Sequence, residues 1–342
     1  MPQYPARYRY SRRSYITHLH KKGAAALITA ATLTLALLFT GCPNSAGGSG
    51  SSGGAGSTGG TPPADKTYTV GGVSFTMKKI AAVTNGTVGH TDNTGNNAPH
   101  TVSLTAYRIG ETEVTQELWQ AVMGNNPSFF QGSSNPPESG EVQGKRPVEN
   151  VNWYQCIAFC NKLSKACNLD PCYTVTGVNF DTLNFSAIPT SDNSDWNNAV
   201  LDMSKNGFRL PTEAEWEWAA KGGKDYKWAG TNEKAQLVNY AWYKNDDGGD
   251  ANNKTHQVKM KQPNAYGLYD MSGNVWEWSW DWYSSTTPTG GQDPAGGASG
   301  TRRVGRGGGW VNGANYCTVG LRFDCSPDLR DRNLGFRLAC RP

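Results

Sequence analysis

Apolar positions recur at helical spacing in some windows of the chain and at strand spacing in others, with long polar stretches between them. Val70, Val73, Phe75 and Met77 predict an opening strand, and Val102 to Arg108 (VSLTAYR) alternates like another. Thr115 is placed to cap a short helix that turns Leu118, Trp119 and Val122 inward, and Gly124 can stop it. After a loop over 125–146 dense in Asn, Pro, Gly and Ser, Asn152 caps a second helix. Its stripe of Trp153, Cys156, Ile157, Cys160 and Leu163 reads as core. In GFRLPTEAEWEWAAKGG (207–223), Thr212 and Glu215 form a capping box and Gly222-Gly223 ends the helix. Glu213, Glu215 and Glu217 read as charges favoured near a helix N-terminus rather than as general acids, because no partnered His accompanies them. Trp276, Trp278, Trp280 and Trp282 alternate, which predicts one strand with a buried row of indoles.

Periodicity fails in the C-terminal region, about 302–342. Between Trp310 and Leu334, residues with an obvious structural job (Trp310, Ala314, Cys317, Arg322, Pro327, Arg330) alternate with short runs of small, charged, aromatic and thiol side chains. Neither a helix nor a half-buried strand requires such a mixture, and a solvated binding face tolerates it.

Composition changes the picture at the other end. Six basic residues (Arg7, Arg9, Arg12, Arg13, Lys21, Lys22) precede the apolar run Ala24 to Phe39, and Gly41-Cys42 follows. That run is shorter than the roughly 20 apolar residues of a membrane span, so 1–41 reads as a secretory signal. Phe39-Thr40-Gly41-Cys42 resembles a bacterial lipobox, which makes Cys42 the expected lipidation site and the cell envelope, at the outer-membrane surface, the expected location. Residues 42–67 are a Ser/Gly-rich flexible tether, and one large domain is expected over 68–342. Without the leader the chain carries 26 basic and 28 acidic residues, a net charge of −2. Nothing in that balance fits a nucleic-acid partner. Export and eight cysteines suggest disulfides; lipidation of Cys42 leaves an odd seven, and connectivity stays open.

The segments GETEVTQELW, RPVENVNWYQCIAFCNKLS, GFRLPTEAEWEWAA, NAYGLYDMSGNVWEW, RGGGW and GFRL occur in this order. Together they resemble the formylglycine-generating-enzyme, or sulfatase-modifying-factor, domain family over roughly 68–342. The resemblance implies an α+β, C-type-lectin-like fold with much irregular chain. Some members oxidise a sulfatase cysteine with copper held by two cysteines. Their first copper position falls on Asn312 and the second on Cys317, so the copper-oxidase alternative lacks a thiolate, the soft ligand copper(I) prefers. The same resemblance implies a structural calcium at Asp270 and Glu277 side chains with Gly273 and Val275 carbonyls. No catalytic cofactor is implied.

The C-terminal pattern further resembles the variable proteins of diversity-generating retroelements, whose interchangeable residues bind ligand on a fixed scaffold. Carried over, the interchangeable positions are Val311, Asn312, Gly313, Asn315, Tyr316, Leu321, Phe323, Asp324, Cys325, Ser326, Asp328, Leu329, Asp331, Arg332 and Asn333. Trp310, Arg322 and Arg330 would hold the scaffold. Adenine-directed exchange of Asn codons cannot produce Lys, Glu, Gln, Met or Trp, and 311–333 contains none of these. The expectation is therefore a non-enzymatic, lipid-anchored surface protein that binds variable protein or cell-surface ligands.

Overall fold

The first apolar run folds as a hairpin rather than as one strand. In the computed structural model, which describes residues 64–93 and 95–342, β1 (Lys66–Val70) and β2 (Val73–Ile80) pair antiparallel, with Val70 opposite Val73. Gly71 and Gly72 make the turn at φ of 57° and 81°, a left-handed conformation that costs glycine nothing. The basic leader, Cys42 and nearly all of the tether lie outside the described residues. Strand β3 (Val83–Val88) follows. The VSLTAYR alternation then hides a break: β4 (His100–Leu104) and β5 (Tyr107–Gly110) belong to different sheets.

Helix starts follow their caps. In α1 (Gln116–Met123) the Thr115 hydroxyl accepts from the Leu118 N–H, and Gly124 closes the helix at φ 76°. In α2 (Trp153–Ala166) Asn152 and Gln155 form a reciprocal capping box. Short β6 (Tyr173–Thr174), α3 (Ser194–Asn197) and β7 (Val200–Leu201) precede α4 (Glu213–Lys221), whose Thr212/Glu215 box is complete. The rest is β8 (Trp276–Trp282), β9 (Gly291–Gln292), β10 (Arg303–Arg306), β11 (Phe323–Cys325), β12 (Leu334–Gly335) and β13 (Ala339–Cys340). The fold is α+β with much irregular chain.

Two four-stranded sheets carry the structure, ordered β1-β2-β5-β13 and β11-β10-β8-β12. The C-terminal chain joins them: β12 lies parallel to β8 in one and β13 antiparallel to β5 in the other. Helix α2 packs its stripe with Trp119, Trp278 and Phe336 into the main core, where Trp119 stacks on Phe159 at 5.0 Å. A second core gathers Trp216, Ile109, Leu104 and Val319 between α4 and the strands.

Strand β8 is buried on both faces, not only on its tryptophan side. Between the indoles, Glu277, Ser279 and Asp281 are also buried. Arginines form an inner layer that meets the charge of Glu277 and of two buried carboxylates on α4. Arg337 holds Glu277 through two hydrogen bonds of 2.6 Å, Arg306 holds Glu217 at 2.5 Å, and Arg209 holds Glu215 through two of 2.6 Å. The two bidentate pairs, Arg337 with Glu277 and Arg209 with Glu215, fix geometry as much as they add energy.

The expected disulfides are not formed: all seven cysteines of the described region are free thiols, six of them buried. Cys156 and Cys160 occupy core positions on α2, where burial pushes both thiols well above the ordinary range.

Candidate ligand-binding face

The C-terminal stretch is held by its backbone. Strand β10 lies between β8 and β11, and the chain then turns through Gly307 and Gly308 at φ of 93° and 73°. A side chain at Gly308 would strike the Tyr316 carbonyl oxygen at 2.6 Å. Trp310 donates its N–H to the Asn274 carbonyl and its indole Nε1 to the Arg332 carbonyl, at 2.8 and 3.1 Å, and its ring meets Phe130 edge-on at 5.2 Å. The Asn312 and Asp331 carbonyls accept from the N–H groups of Lys244 and Asn150, and the Pro327 carbonyl from that of Trp153, all at 2.9 Å. Asp247 receives the Ala314 N–H at 2.6 Å. Apart from the Trp310 indole, each anchor uses main-chain atoms of the stretch, so it does not depend on the side chain carried there.

Side chains of the same stretch divide by side. Val311, Asn315, Tyr316, Phe323, Asp331 and Arg332 are exposed, with Tyr316 at 53% and Phe323 at 40%. Asn312, Gly313, Leu321, Asp324, Ser326, Asp328 and Leu329 are half-buried. Phe323 stacks on Trp276 at 5.1 Å, and the Trp276 Nε1 donates to Asn312 Oδ1 at 2.8 Å. That oxygen also accepts from the Gly309 N–H and from Asn333 Nδ2, both at 3.1 Å. The Arg332 guanidinium lies 5.5 Å from the Trp310 ring and 5.1 Å from that of Phe129. Phe323, Trp276, Asn312, Asn333, Trp310, Arg332 and Phe129 thus form one continuous path of contacts.

Three expectations are corrected here. Cys325 and Asn333, expected on the solvated face, are buried at 1% and 8% exposure. Cys325 faces inward from β11, and Asn333 is tied to Asn312 beneath the turn. Arg330, expected with Trp310 and Arg322 to brace the scaffold, is exposed, whereas Trp310 and Arg322 are buried. Arg322 is buried and holds Glu213 through Nε and Nη2 at 2.5 and 2.9 Å, while its Nη1 reaches the carbonyls of Asn96, Ser284 and Thr286.

Phe129 was not singled out by the sequence pattern, since it sits in the polar loop 125–146. It is 44% exposed beside Arg332. A Phe-Phe pair inside an otherwise polar loop was the available signal: Phe130 packs inward on Trp310 and leaves Phe129 outside.

The two implied metal sites meet different geometry. At the copper positions, Asn312 Oδ1 is occupied by three donors, and Cys317 is fully buried. Burial, with Asp247 adding to it, pushes the Cys317 thiol up to about 12, far from the thiolate that copper(I) takes. The residues do not fit a two-thiolate copper centre. At the calcium positions, Asp270, Gly273 and Val275 lie in one turn that leads into β8, where Glu277 serves other partners. Its Oε1 accepts from Arg337, and its Oε2 accepts from Arg337 and from the Trp216 indole at 2.6 Å. Asp270 Oδ2 accepts from the Lys259 N–H, leaving Oδ1 buried without a partner. Of the two side chains implied for calcium, Glu277 is thus held by a guanidinium and an indole, while Asp270 keeps one buried oxygen without a hydrogen-bond partner.

The model of the sulfatase-modifying factor enzyme 1-like domain matches residues 62–342. The chain belongs to this family. Among solved structures it is similar to Treponema denticola variable protein 1, with 62% identity and a TM-score of 0.77, over 82% of this chain and 100% of that one. Among curated proteins it is 37% identical over 244 residues to chaperone protein LppX of Paenibacillus barcinonensis, covering 66% of this chain and 77% of that protein. It is also 38% identical to the formylglycine-generating enzyme of Thermomonospora curvata, over 43% of this chain and 54% of the enzyme. The domain fold is that of the sulfatase-modifying factors, and the chain resembles a variable protein over more of its length than it resembles the enzymes.

Proposed function

We propose that this protein is a non-catalytic, lipid-anchored surface protein that presents an exchangeable ligand-binding face to proteins or cell-surface ligands. The observation that carries the reading is the division within 311–333: main-chain atoms are tied to partners outside the stretch, while Val311, Tyr316, Phe323 and Arg332 project outward. Binding residues placed on loops over a rigid frame are a recurrent solution, because side chains change there without disturbing the core. The similarity to Treponema denticola variable protein 1 supports it. Oxidase chemistry of the formylglycine-generating type is disfavoured by Asn312 and by the buried Cys317 thiol.

Sequencing the 3′ end of the gene across many clones tests the reading. Exchange concentrated at the codons of the outward positions, with Trp310 and Arg322 unchanged and an adenine-bearing repeat beside a reverse-transcriptase gene, is the expected result. Variation spread evenly over the domain, with no such repeat, overturns it.

A further inference from the structure

Away from the variable face, the end of β8 and the loop that follows it enclose a cavity of about 260 Å³. Its floor holds three buried carboxylates, Glu213 and Glu217 from α4 and Asp281 from β8. Two of them have cations. Glu213 is paired with Arg322, and Glu217 with Arg306 at 2.5 Å. Asp281 is 5% exposed and has only the Glu213 N–H, which donates to its Oδ2 at 2.7 Å. Its Oδ1 faces the place where a side chain at Gly296 would come within 3.2 Å, space that glycine leaves open. Among the described residues, no lysine or arginine lies within ion-pair distance of it. Asp281 is therefore the one carboxyl of the three without a cation in contact, and its free oxygen sits at the cavity floor.

The walls decide what kind of cation fits. Val88, Ala214, Pro288, Pro294 and Trp282 make much of the lining apolar, and the rim carries hydroxyls of Ser284 and Thr286. A bare metal ion needs several oxygens converging on one point. No such group of His, Cys, Asp and Glu exists among the described residues. An alkylammonium needs one carboxylate and an apolar sleeve for its stem. We infer that this cavity binds a small organic cation, a primary ammonium on a short alkyl stem, through the Asp281 carboxylate.

Proton linkage makes the inference measurable. Burial first, and then Glu213 with Glu215, raises the Asp281 carboxyl to about 8, against the opposing Glu213 N–H and, more weakly, Arg322; Arg303 on β10 feels the same carboxylate, and Glu217 and His100 are the other titratable groups on the lining. An entering ammonium favours the ionised form, so binding below that pH expels the Asp281 proton to solvent. Affinity then rises with pH, by roughly fifty-fold between pH 6 and pH 8 for one carboxyl titrating near 8.

Titration calorimetry of the full chain with n-butylammonium chloride, at pH 6 and pH 8 in phosphate and in MOPS, reads both affinity and protons released. The expected result is tighter binding at pH 8, proton release at pH 6, and loss of both in Asp281→Asn. Gly297→Trp serves as a second variant, since a Cβ there meets only the Ser299 carbonyl oxygen at 3.6 Å and Asp281 is untouched; it is expected to block the cavity mouth and weaken binding. The inference is overturned by no binding at either pH, by affinity independent of pH, by unchanged binding in Asp281→Asn, or by potassium chloride producing the same heats.

Discussion

Arg322 and Phe323 are neighbours in the chain and opposites in the structure. Arg322 is 5% exposed and spends three nitrogens on Glu213 and loop carbonyls, whereas Phe323 is 40% exposed and rests one face on Trp276. The same contrast runs through the C-terminal stretch: one side is dry and ionic, the other wet and aromatic. Freedom to exchange a residue is thus a property of the side it points to, not of the interval it occupies. Cys325 lies two residues after Phe323, on the exposed side by interval, and is nevertheless buried at 1%.

The largest effect is expected on the ionic side. Arg322→Ala leaves the buried Glu213 carboxylate without its hydrogen-bonded partner, with only Arg306 at 3.6 Å, which costs about 3 kcal/mol. Urea unfolding of wild type and variant measures this directly. A loss no greater than that of an exposed substitution erases the distinction between the two sides.

A smaller effect, on the order of 1–3 kcal/mol, is expected where the frame meets the face at Glu149. This carboxylate accepts the Phe130 N–H at 2.8 Å, but its Oε2 is buried without a partner, and burial raises its pKa to about 7. Because the folded state holds the proton more tightly than the unfolded chain, the contribution is complete below the ordinary value of 4.5. It is lost as pH climbs towards 7. Thermal melts at pH 5 and pH 8 should therefore show Glu149→Gln gaining on wild type at the higher pH. Asp331, an outward residue, contributes a minor upward push on Glu149, so Asp331→Asn should lower that pKa slightly; an unmoved pH profile would separate face from frame at this point.

Much of the frame could be read in advance because its signals are local. Thr212 with Glu215, Thr115 with Gly124, and Asn152 each announce a helix end through chemistry contained in a few residues, and all three ends are where those residues place them. Misreadings arose where alternation continues across a change of partner. Val70 and Val73 share one hydrophobic pattern although a Gly-Gly turn separates them, and Leu104 and Tyr107 do so across two sheets. On the face itself, no period distinguishes Phe323 from Cys325 or Arg322 from Arg330. Their burial is set by contacts to β8, α4 and the 244–248 and 125–146 loops, which lie far away in sequence, so only the folded chain reveals it.

Asn312 stands between the two classes. The resemblance to variable proteins places it among exchangeable positions, yet its Oδ1 satisfies Trp276, Gly309 and Asn333 together. Asn312→Ala should cost about 1–2 kcal/mol for the donors left unpaired. Asn312→Asp, which keeps an acceptor oxygen in place, should recover part of the loss. If alanine is neutral, water replaces the amide and position 312 belongs with the outward residues.

The smallest effects are expected at the outward positions, and they test the proposed function most directly. Tyr316 has 53% of its surface in water, so Tyr316→Ala should change unfolding stability by no more than about 0.5 kcal/mol. Phe323→Ala should cost slightly more, about 0.5–1.5 kcal/mol, because its stacking on Trp276 is lost. The contrast with Arg322→Ala, one residue away, is then several-fold within a single strand boundary. A Phe323→Ala loss comparable to that of Arg322→Ala would mean that the aromatic side also carries the fold, and a face that carries the fold cannot be exchanged freely for new ligands.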